Sequence, residues 1–264
     1  MNSKIKFVKI VLISSIVFLN LFSLGLKAQS TCNNRPCQQA MPEICANCSD
    51  WDEYVRTEIF DMTNYNPSFP GCSLIVEYCY SICRSVPPDA PCEQCVKYHI
   101  LSIQPTYPYC AECENLFNFL NSGEYYEKEV KARNLISYLT LQIMIRNFTE
   151  FVNGLPSFLR KYCDEKCYAK YYSYLGNCQA ICYVHHPIGY SAEWLIKPVD
   201  CVAGEYCCVR EYLFCLERET GNIRFSQTIK RHPNIDCYQM RIQISDCPAG
   251  EHVEILQCFD NCAH

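Results

Sequence analysis

The stretch Gly204-Glu-Tyr-Cys-Cys-Val-Arg-Glu-Tyr-Leu-Phe-Cys215 places three cysteines within twelve residues, two of them adjacent. Neighbouring side chains on a β-strand point to opposite faces of a sheet. We therefore expect Cys207 and Cys208 to bond to two different cysteines, because a bridge between adjacent residues would be strained. The doublet is more typical of a link between layers than of a redox pair.

The second half of this stretch and the residues that follow it favour a β-hairpin. Cys208–Arg218 alternates in the manner of a strand, and Ile223–Ile229 does so again after the turn signal Glu219–Asn222. The sequence therefore predicts antiparallel β-structure in the C-terminal part of the chain, with Gly221 or Asn222 at a turn position.

Cysteine content and an N-terminal leader predict export. The chain of 264 residues contains 23 cysteines, all after residue 28, which is typical of disulfide-bonded proteins in oxidising compartments. Residues 1–28 combine early lysines, an apolar run from Ile10 to Leu26 and the small residue Ala28, the pattern of a cleaved signal peptide. An uncleaved membrane anchor is the alternative. We expect a secreted or cell-envelope exterior location.

The charge of the chain argues against polyanionic partners. The leader carries four lysines and no acids, so the mature chain has 19 basic and 28 acidic residues and a net charge of −9. Nucleic acid and anionic membrane surfaces are therefore excluded as expected partners. No later stretch is long and apolar enough to predict a transmembrane span in the mature chain.

Residue patterns predict an α+β fold that is rich in disulfides, with mainly antiparallel strands and a helical middle segment. Ser73–Cys83 alternates as a strand, whereas residues 123–162 show helical spacing that ends near Gly154. The predicted divisions are a signal peptide (1–28), a cysteine-rich N-terminal β region (29–122), a helical middle segment with a Tyr-rich hairpin (123–198) and a cysteine-rich β-hairpin module (199–264).

Residues 163–182 fit two secondary structures. Cys163/Cys167 and Cys178/Cys182 share a four-residue step that on helices would place each pair on one face. The aromatic-rich residues 168–177 between them end in a Gly-Asn turn signal, and they favour a strand and a hairpin.

We expect the cysteines of the C-terminal half to form disulfides whose pairing the sequence leaves open. Because 23 is odd, we also expect one free thiol and a monomer rather than a covalent dimer. The disulfide candidates are Cys163, Cys167, Cys178, Cys182, Cys201, Cys207, Cys208, Cys215, Cys237, Cys247, Cys258 and Cys262.

Two other side-chain groups are candidates for chemistry or recognition. His185 and His186 form a pair that could ligate a metal or act as a base, but no accompanying carboxylate motif supports either role. The chain also has 20 tyrosines, clustered at 125–126 and 168–174, and tyrosine suits both protein or glycan recognition and ordinary half-buried strands.

The C-terminal pattern resembles uncharacterised secreted cysteine-rich proteins of Bacteroidota. The residues that carry this resemblance are Cys201, the Cys207–Cys208 doublet, Tyr212, Cys215, the turn 220–222, Cys237, Cys247, Cys258 and Cys262, with a weaker likeness over Phe69–Tyr78 and in the leader ending Lys27-Ala28-Gln29. The resemblance implies export and disulfides, and it brings no catalytic residues with it.

These observations favour a noncatalytic binding or adhesion role at or outside the cell surface, with a protein or glycan as ligand. We expect no catalytic residue, cofactor or metal ligand. One alternative is a secreted hydrolase whose acids converge only in the fold. A second is a zinc-binding scaffold, because Cys92, Cys95, Cys110 and Cys113 have the spacing of a four-thiolate site.

Overall fold

A computed structural model describes residues 51–83, 95–106, 111–154, 169–176, 178–201, 207–217, 219–231, 237–239 and 241–260. These residues form two α-helices and nine strands of one sheet. The helices are α1 (Ala111–Leu120) and α2 (Tyr125–Gly154). The strands are β1 (Trp51–Asp61), β2 (Ser73–Cys83), β3 (Cys95–Pro105), β4 (Ala169–Gly176), β5 (Cys178–Pro187), β6 (Trp194–Asp200), β7 (Cys207–Leu216), β8 (Ile223–Arg231) and β9 (Gly250–Asp260).

The sheet branches at strand β3. One edge of β3 pairs with β2, which pairs in turn with β1. Along the opposite edge, residues Cys95–Tyr98 pair with β4, whereas Ile103 pairs with β6. One branch continues from β4 to β7 and β8, and the other continues from β6 to β5 and β9. Among the described strands, the pairings are antiparallel except for β3 with β4, so the predicted α+β class with mainly antiparallel strands is confirmed.

Three local predictions are confirmed. The predicted strand Ser73–Cys83 is β2, and the predicted long helix is α2, which ends at Gly154. The C-terminal hairpin is formed by β7 and β8, and Gly221 adopts a φ of 70° in the turn, a conformation that favours glycine. In each case the pattern of apolar residues is local and matches the period of the element.

Residues 169–176 and 178–187 are strands as expected, but the predicted hairpin between them is wrong. Strand β4 pairs with β3 and β7, whereas β5 pairs with β6 and β9. The pairing directions show that the chain continues in the same direction from β4 to β5. Strand β5 is buried on both faces and uses both edges for β6 and β9, so no edge remains for β4.

Helix α1 lies within the predicted N-terminal β region and was not predicted. Its buried residues are Cys113, Leu116, Phe117 and Leu120, at helical spacings of three and four. The helix is joined to the sheet by a disulfide between Cys113 and Cys72, which lies just before β2. The dense cysteines and prolines around this stretch obscured its helical period.

The main core lies between the two helices and one face of the sheet. Leu135, Leu139 and Ile143 of α2 are buried in it together with inward side chains of the strands. An aromatic row crosses this face with one ring from each of six strands. Its neighbouring ring centroids are 5.1–6.4 Å apart, and its members are Tyr54, Tyr80, Tyr98, Tyr171, Phe214 and Phe225. Such cross-strand contacts stabilise a sheet.

A smaller core covers the other face of the β6–β5–β9 branch. Ala180, Cys182 and Val184 of β5 pack there against Ile242 and Cys247. We call residues 237–247 the stapled segment, because two disulfides, Cys178–Cys237 and Cys182–Cys247, join it to β5. A third disulfide, Cys201–Cys258, joins the end of β6 to β9. The disulfides therefore hold a layer that has little regular secondary structure of its own.

Ionic contacts attach the start of α2 to strand β9. Lys128 Nζ lies 2.6 Å from Glu254 Oε1, and Asn121 Nδ2 donates a hydrogen bond of 2.7 Å to Glu254 Oε2. Burial raises the pKa of the Glu254 carboxyl, but the hydrogen bonds from Lys128 and Asn121 outweigh it and hold the pKa below its ordinary value. The carboxylate is therefore better stabilised in the folded chain than in water.

Not all predicted disulfide cysteines lie within the described residues. Cys178, Cys182, Cys201, Cys237, Cys247 and Cys258 form the three bridges given above, and Cys215 is also disulfide-bonded. Cys163, Cys167 and Cys262, the side chains of Cys207 and Cys208, and the signal peptide lie outside the description, as does the pairing expected for the doublet. The single free thiol, the monomeric state and the domain boundaries stay predictions. In the described part of the chain, neither helix has the length and apolarity that a membrane span requires.

Candidate ligand-binding cleft

A cleft of about 350 Å³ lies between helix α2 and the β7–β8 hairpin. Its helical wall consists of side chains spaced three and four residues apart, which places them on one side of the helix. Its other wall comes from three side chains of the hairpin. The lining residues are Tyr126, Val130, Arg133, Asn134, Ser137, Arg210, Gln227 and Ile229.

The pattern of strand β7 positions Arg210 in the cleft. Alternate residues share a face, so Arg210 lies on the same face as Tyr212 and Phe214, which are buried in the main core. Ile229 lies directly opposite Arg210 on β8, and Gln227 lies opposite Tyr212. Along this face, the apolar core therefore gives way to a polar cleft at Arg210.

Arg210 is a mostly buried cation that its neighbours hold in place. Its side chain is 9% exposed, and its Nη1 donates a hydrogen bond to Ser137 Oγ on helix α2. Burial raises the pKa of the Tyr212 phenol, and the charge and hydrogen bond of Arg210 offset this rise only in part. Tyr212 therefore stays neutral at physiological pH and does not cancel the positive charge of Arg210.

Arg133 provides a second guanidinium whose charge is partly balanced. Its Nη2 lies 3.4 Å from Glu129 Oε1, one helical turn earlier, and the Glu129 side chain is 1% exposed. None of the described lining residues is acidic. Arg210 and Arg133 both line the cleft, in a chain whose net charge is −5. The electrostatics of the cleft therefore favour an anionic ligand group.

The two exposed tyrosines of α2 have different roles. Tyr126 lines the cleft and is 68% exposed, so its ring presents a free aromatic surface. Tyr125 instead donates a hydrogen bond of 2.8 Å from its hydroxyl to the carbonyl of Gln257 on β9. In the other predicted tyrosine cluster, Tyr171 and Tyr172 are buried, so those two rings stabilise the fold and do not form a recognition surface.

The structure separates the two predicted histidines. His185 packs against the ring of Phe117, with ring centroids 4.5 Å apart. His186 has a φ of 43°, and its Nδ1 lies 3.1 Å from Glu193 Oε2 across the turn between β5 and β6. Gly250 of β9 passes close to this turn, and a Cβ atom there would lie 2.6 Å from the carbonyl oxygen of His185. Both histidines therefore have packing roles at a constrained turn.

The predicted four-thiolate zinc site is wrong. Cys113 is bonded to Cys72, and a sulfur in a disulfide cannot serve as a zinc thiolate. Cys92, Cys110 and the side chain of Cys95 lie outside the described residues. Within the described ranges, no group of three or more His, Cys, Asp or Glu side chains is arranged to hold a metal ion.

A second, smaller cleft of about 40 Å³ lies beside the turn that follows β3. Among the described lining residues, Glu193 is the one acid of this cleft, and the larger cleft has none. The described lining of neither cleft therefore supplies the pair of carboxylates that the hydrolase alternative requires.

Little in the sequence indicated the larger cleft. Its arginines lie on elements that are far apart in the chain, and neither belongs to a motif. The available signal was Arg210 itself, which shares a strand face with Tyr212 and Phe214 and breaks an otherwise apolar alternation. Comparisons with protein-family models, curated proteins and solved structures find no match to this chain.

Proposed function

We propose that this chain is an exported, disulfide-stabilised protein with a noncatalytic binding role at or outside the cell surface. We further propose that its ligand binds through an anionic group in the cleft between α2 and the β7–β8 hairpin. The observation that carries this proposal is the placement of Arg210, a mostly buried cation held by Ser137 and Tyr212 at the wall of an open cleft.

Disulfide bonding supports the export part of the proposal. The bridges from β5 to the stapled segment need an oxidising compartment to form and persist. Cys79 and Cys83 on β2 and Cys215 on β7 are also disulfide-bonded. The leader expected at residues 1–28 and the resemblance of the C-terminal part to secreted proteins point in the same direction.

The chemistry of the lining residues supports binding over catalysis. The cleft contains one hydroxyl nucleophile candidate, Ser137, whose neighbour Arg210 is a cation and cannot act as a base. No histidine or carboxylate is among the lining residues that the structure describes. Guanidinium, amide and hydroxyl groups beside an aromatic ring are instead the small set of polar contacts that orient a ligand in a binding site.

The proposal is tested by titrating the oxidised protein with sodium acetate, sulfate or phosphate at constant ionic strength, followed by NMR chemical shifts. We expect saturable binding of at least one of these anions, and at least a tenfold loss of affinity in Arg210→Met, which keeps an unbranched side chain. The matched control is Arg224→Met, since Arg224 is exposed on β8 and pairs with Glu217. If wild-type protein binds none of the three anions, the proposed cleft function is refuted.

Equal loss of affinity in both arginine variants would also count against the proposal, because it would indicate a diffuse charge effect rather than a site. Far-UV circular dichroism of each variant establishes that it is folded. If Arg210→Met does not fold, Arg133→Met takes its place, because Arg133 is the other arginine that lines the cleft.

A further inference from the structure

We infer that the ligand of the cleft is an acidic sugar residue, a uronic acid whose carboxylate contacts the arginines and whose ring lies against Tyr126. This inference rests on the proposed function and adds the chemical class of the ligand. It follows from three features of the lining, which supply a positive end, a polar middle and an aromatic rim.

The positive end suits a planar anion. Guanidinium groups bind carboxylates through two parallel hydrogen bonds, so a flat anion gains more from an arginine than from a lysine. Arg210 is fixed by Ser137, and Arg133 is restrained by Glu129, so both guanidinium groups are pre-positioned before a ligand arrives.

The middle of the cleft suits a ligand with several hydroxyl groups. Asn134 on the helix and Gln227 on β8 line opposite walls, and each side-chain amide offers both hydrogen-bond donors and an acceptor. A sugar hydroxyl also donates and accepts, so two facing amides satisfy hydroxyls on both edges of one ring. The hydrocarbon chain of a fatty acid would make no hydrogen bond to either amide.

The rim offers a surface for the less polar face of a sugar ring. Tyr126 is 68% exposed, and Val130 lies one helical turn further along the same side of α2. An aromatic ring gives a large, rigid contact area for the C–H groups of a pyranose. A cleft of about 350 Å³ is at the lower end of ligand sites, which run from about 300 to 1,000 Å³, so it suits one or two sugar residues.

Isothermal titration calorimetry with D-glucuronate, D-glucose and acetate tests the inference on wild-type protein and three variants. Arg210→Met removes the charge contact, and Tyr126→Ala removes the aromatic contact. The matched control is Tyr190→Ala, because Tyr190 is 44% exposed at the turn between β5 and β6, outside the cleft lining. We expect wild-type protein to bind glucuronate at least tenfold more tightly than acetate or glucose.

The variants separate the two parts of the site. Tyr126→Ala should weaken glucuronate binding at least fivefold and leave acetate binding unchanged, whereas Arg210→Met should weaken both. Tyr190→Ala should behave as wild type. A glucuronate oligosaccharide then distinguishes a polymer-borne residue, which would bind at least as tightly as the monosaccharide, from a free one, which would bind more tightly.

The other possible results of the titrations each contradict a different part of the proposal. Equal affinities for acetate and glucuronate would overturn the sugar inference while the anion site stands. Equal affinities for glucose and glucuronate would overturn the anion site itself. Tighter binding of phosphate or sulfate than of glucuronate would also overturn the uronic acid assignment. Absence of binding for all probes would overturn both the inference and the proposed function.

Discussion

The two disulfides of the stapled segment are interleaved along the chain, and their energies should not add independently. Cys178–Cys237 and Cys182–Cys247 span 59 and 65 residues of chain. When one bridge is present, forming the other closes only a short loop. This loop consists of the residues between the two bridges on β5 (178–182) and on the stapled segment (237–247). A closed loop of roughly 15 residues restricts the unfolded chain by about 3 kcal/mol at 25 °C.

The loop is longer when both bridges are absent. The first bridge to form then closes roughly 30 to 45 residues through the remaining Cys201–Cys258 disulfide, which is worth about 4 kcal/mol on the same scale. We therefore expect Cys182→Ala/Cys247→Ala to lower the free energy of unfolding by about 3 kcal/mol, and Cys178→Ala/Cys237→Ala to do the same. The variant without either bridge should lose about 7 kcal/mol instead of the additive 6 or so.

Urea unfolding without reductant measures these losses, followed by the fluorescence of Trp194, which is fully buried in the main core. Non-reducing peptide mapping of each variant establishes that the remaining bridges are those of the wild type. The predicted coupling is about 1 kcal/mol in a double-mutant cycle over the two bridges. If the variant that lacks all four cysteines loses no more free energy of unfolding than the sum of the losses in the two double variants, the reasoning from loop closure is refuted.

Three further predictions concern single side chains. Gly250→Ala should lower the free energy of unfolding by about 1–3 kcal/mol, because its Cβ would clash with Val184 and with the carbonyl oxygen of His185 on β5. Gly154→Ala, with open space around it, should stay within about 1 kcal/mol in the same urea assay. Because the pKa of Glu254 is lowered in the folded chain, its ionised carboxylate stabilises the fold above about pH 4.3, and this stabilisation is lost as the pH falls through the folded-state pKa. Glu254→Gln should therefore lose less stability than the wild type between about pH 5 and pH 3. An unchanged dependence of stability on pH would contradict the assignment. Asn147 is buried and its amide oxygen accepts a 2.9 Å hydrogen bond from an arginine of β1, so Asn147→Ala should cost about 1–3 kcal/mol by thermal unfolding, while the exposed Asn134→Ala on the same helix should cost under about 0.5 kcal/mol.

Elements with a clear local period could be predicted from the sequence. The alternation in Ser73–Cys83 and the helical spacing before Gly154 each lie within one element, so the chain itself carries the signal. Ala111–Leu120 also has helical spacing, but its ten residues lie among cysteines and prolines that favoured a β interpretation. A short element contains only a few repeats of its apolar period, so the residue types around it have more influence on the prediction.

The pairing of strands and the cleft depend on contacts that no local pattern encodes. The Gly-Asn signal after β4 predicted a reversal, yet both edges of β5 are taken by strands that come later in the chain. The cleft in turn exists because β7 pairs with β4 and brings Arg210 beside helix α2. A single arginine in an apolar strand face was visible, but its neighbour on the helix could be found only from the fold.

The branching of the sheet at β3 sets an order on biosynthesis. Both branches are completed by strands from the end of the chain, since β7 and β8 extend one branch and β9 extends the other. Until its last residues emerge, a partly made chain would expose the open edges of β4 and β5 to other chains. We therefore expect that the protein matures only after β9 has been synthesised, and that the bridge from Cys201 to Cys258 is among the last to close.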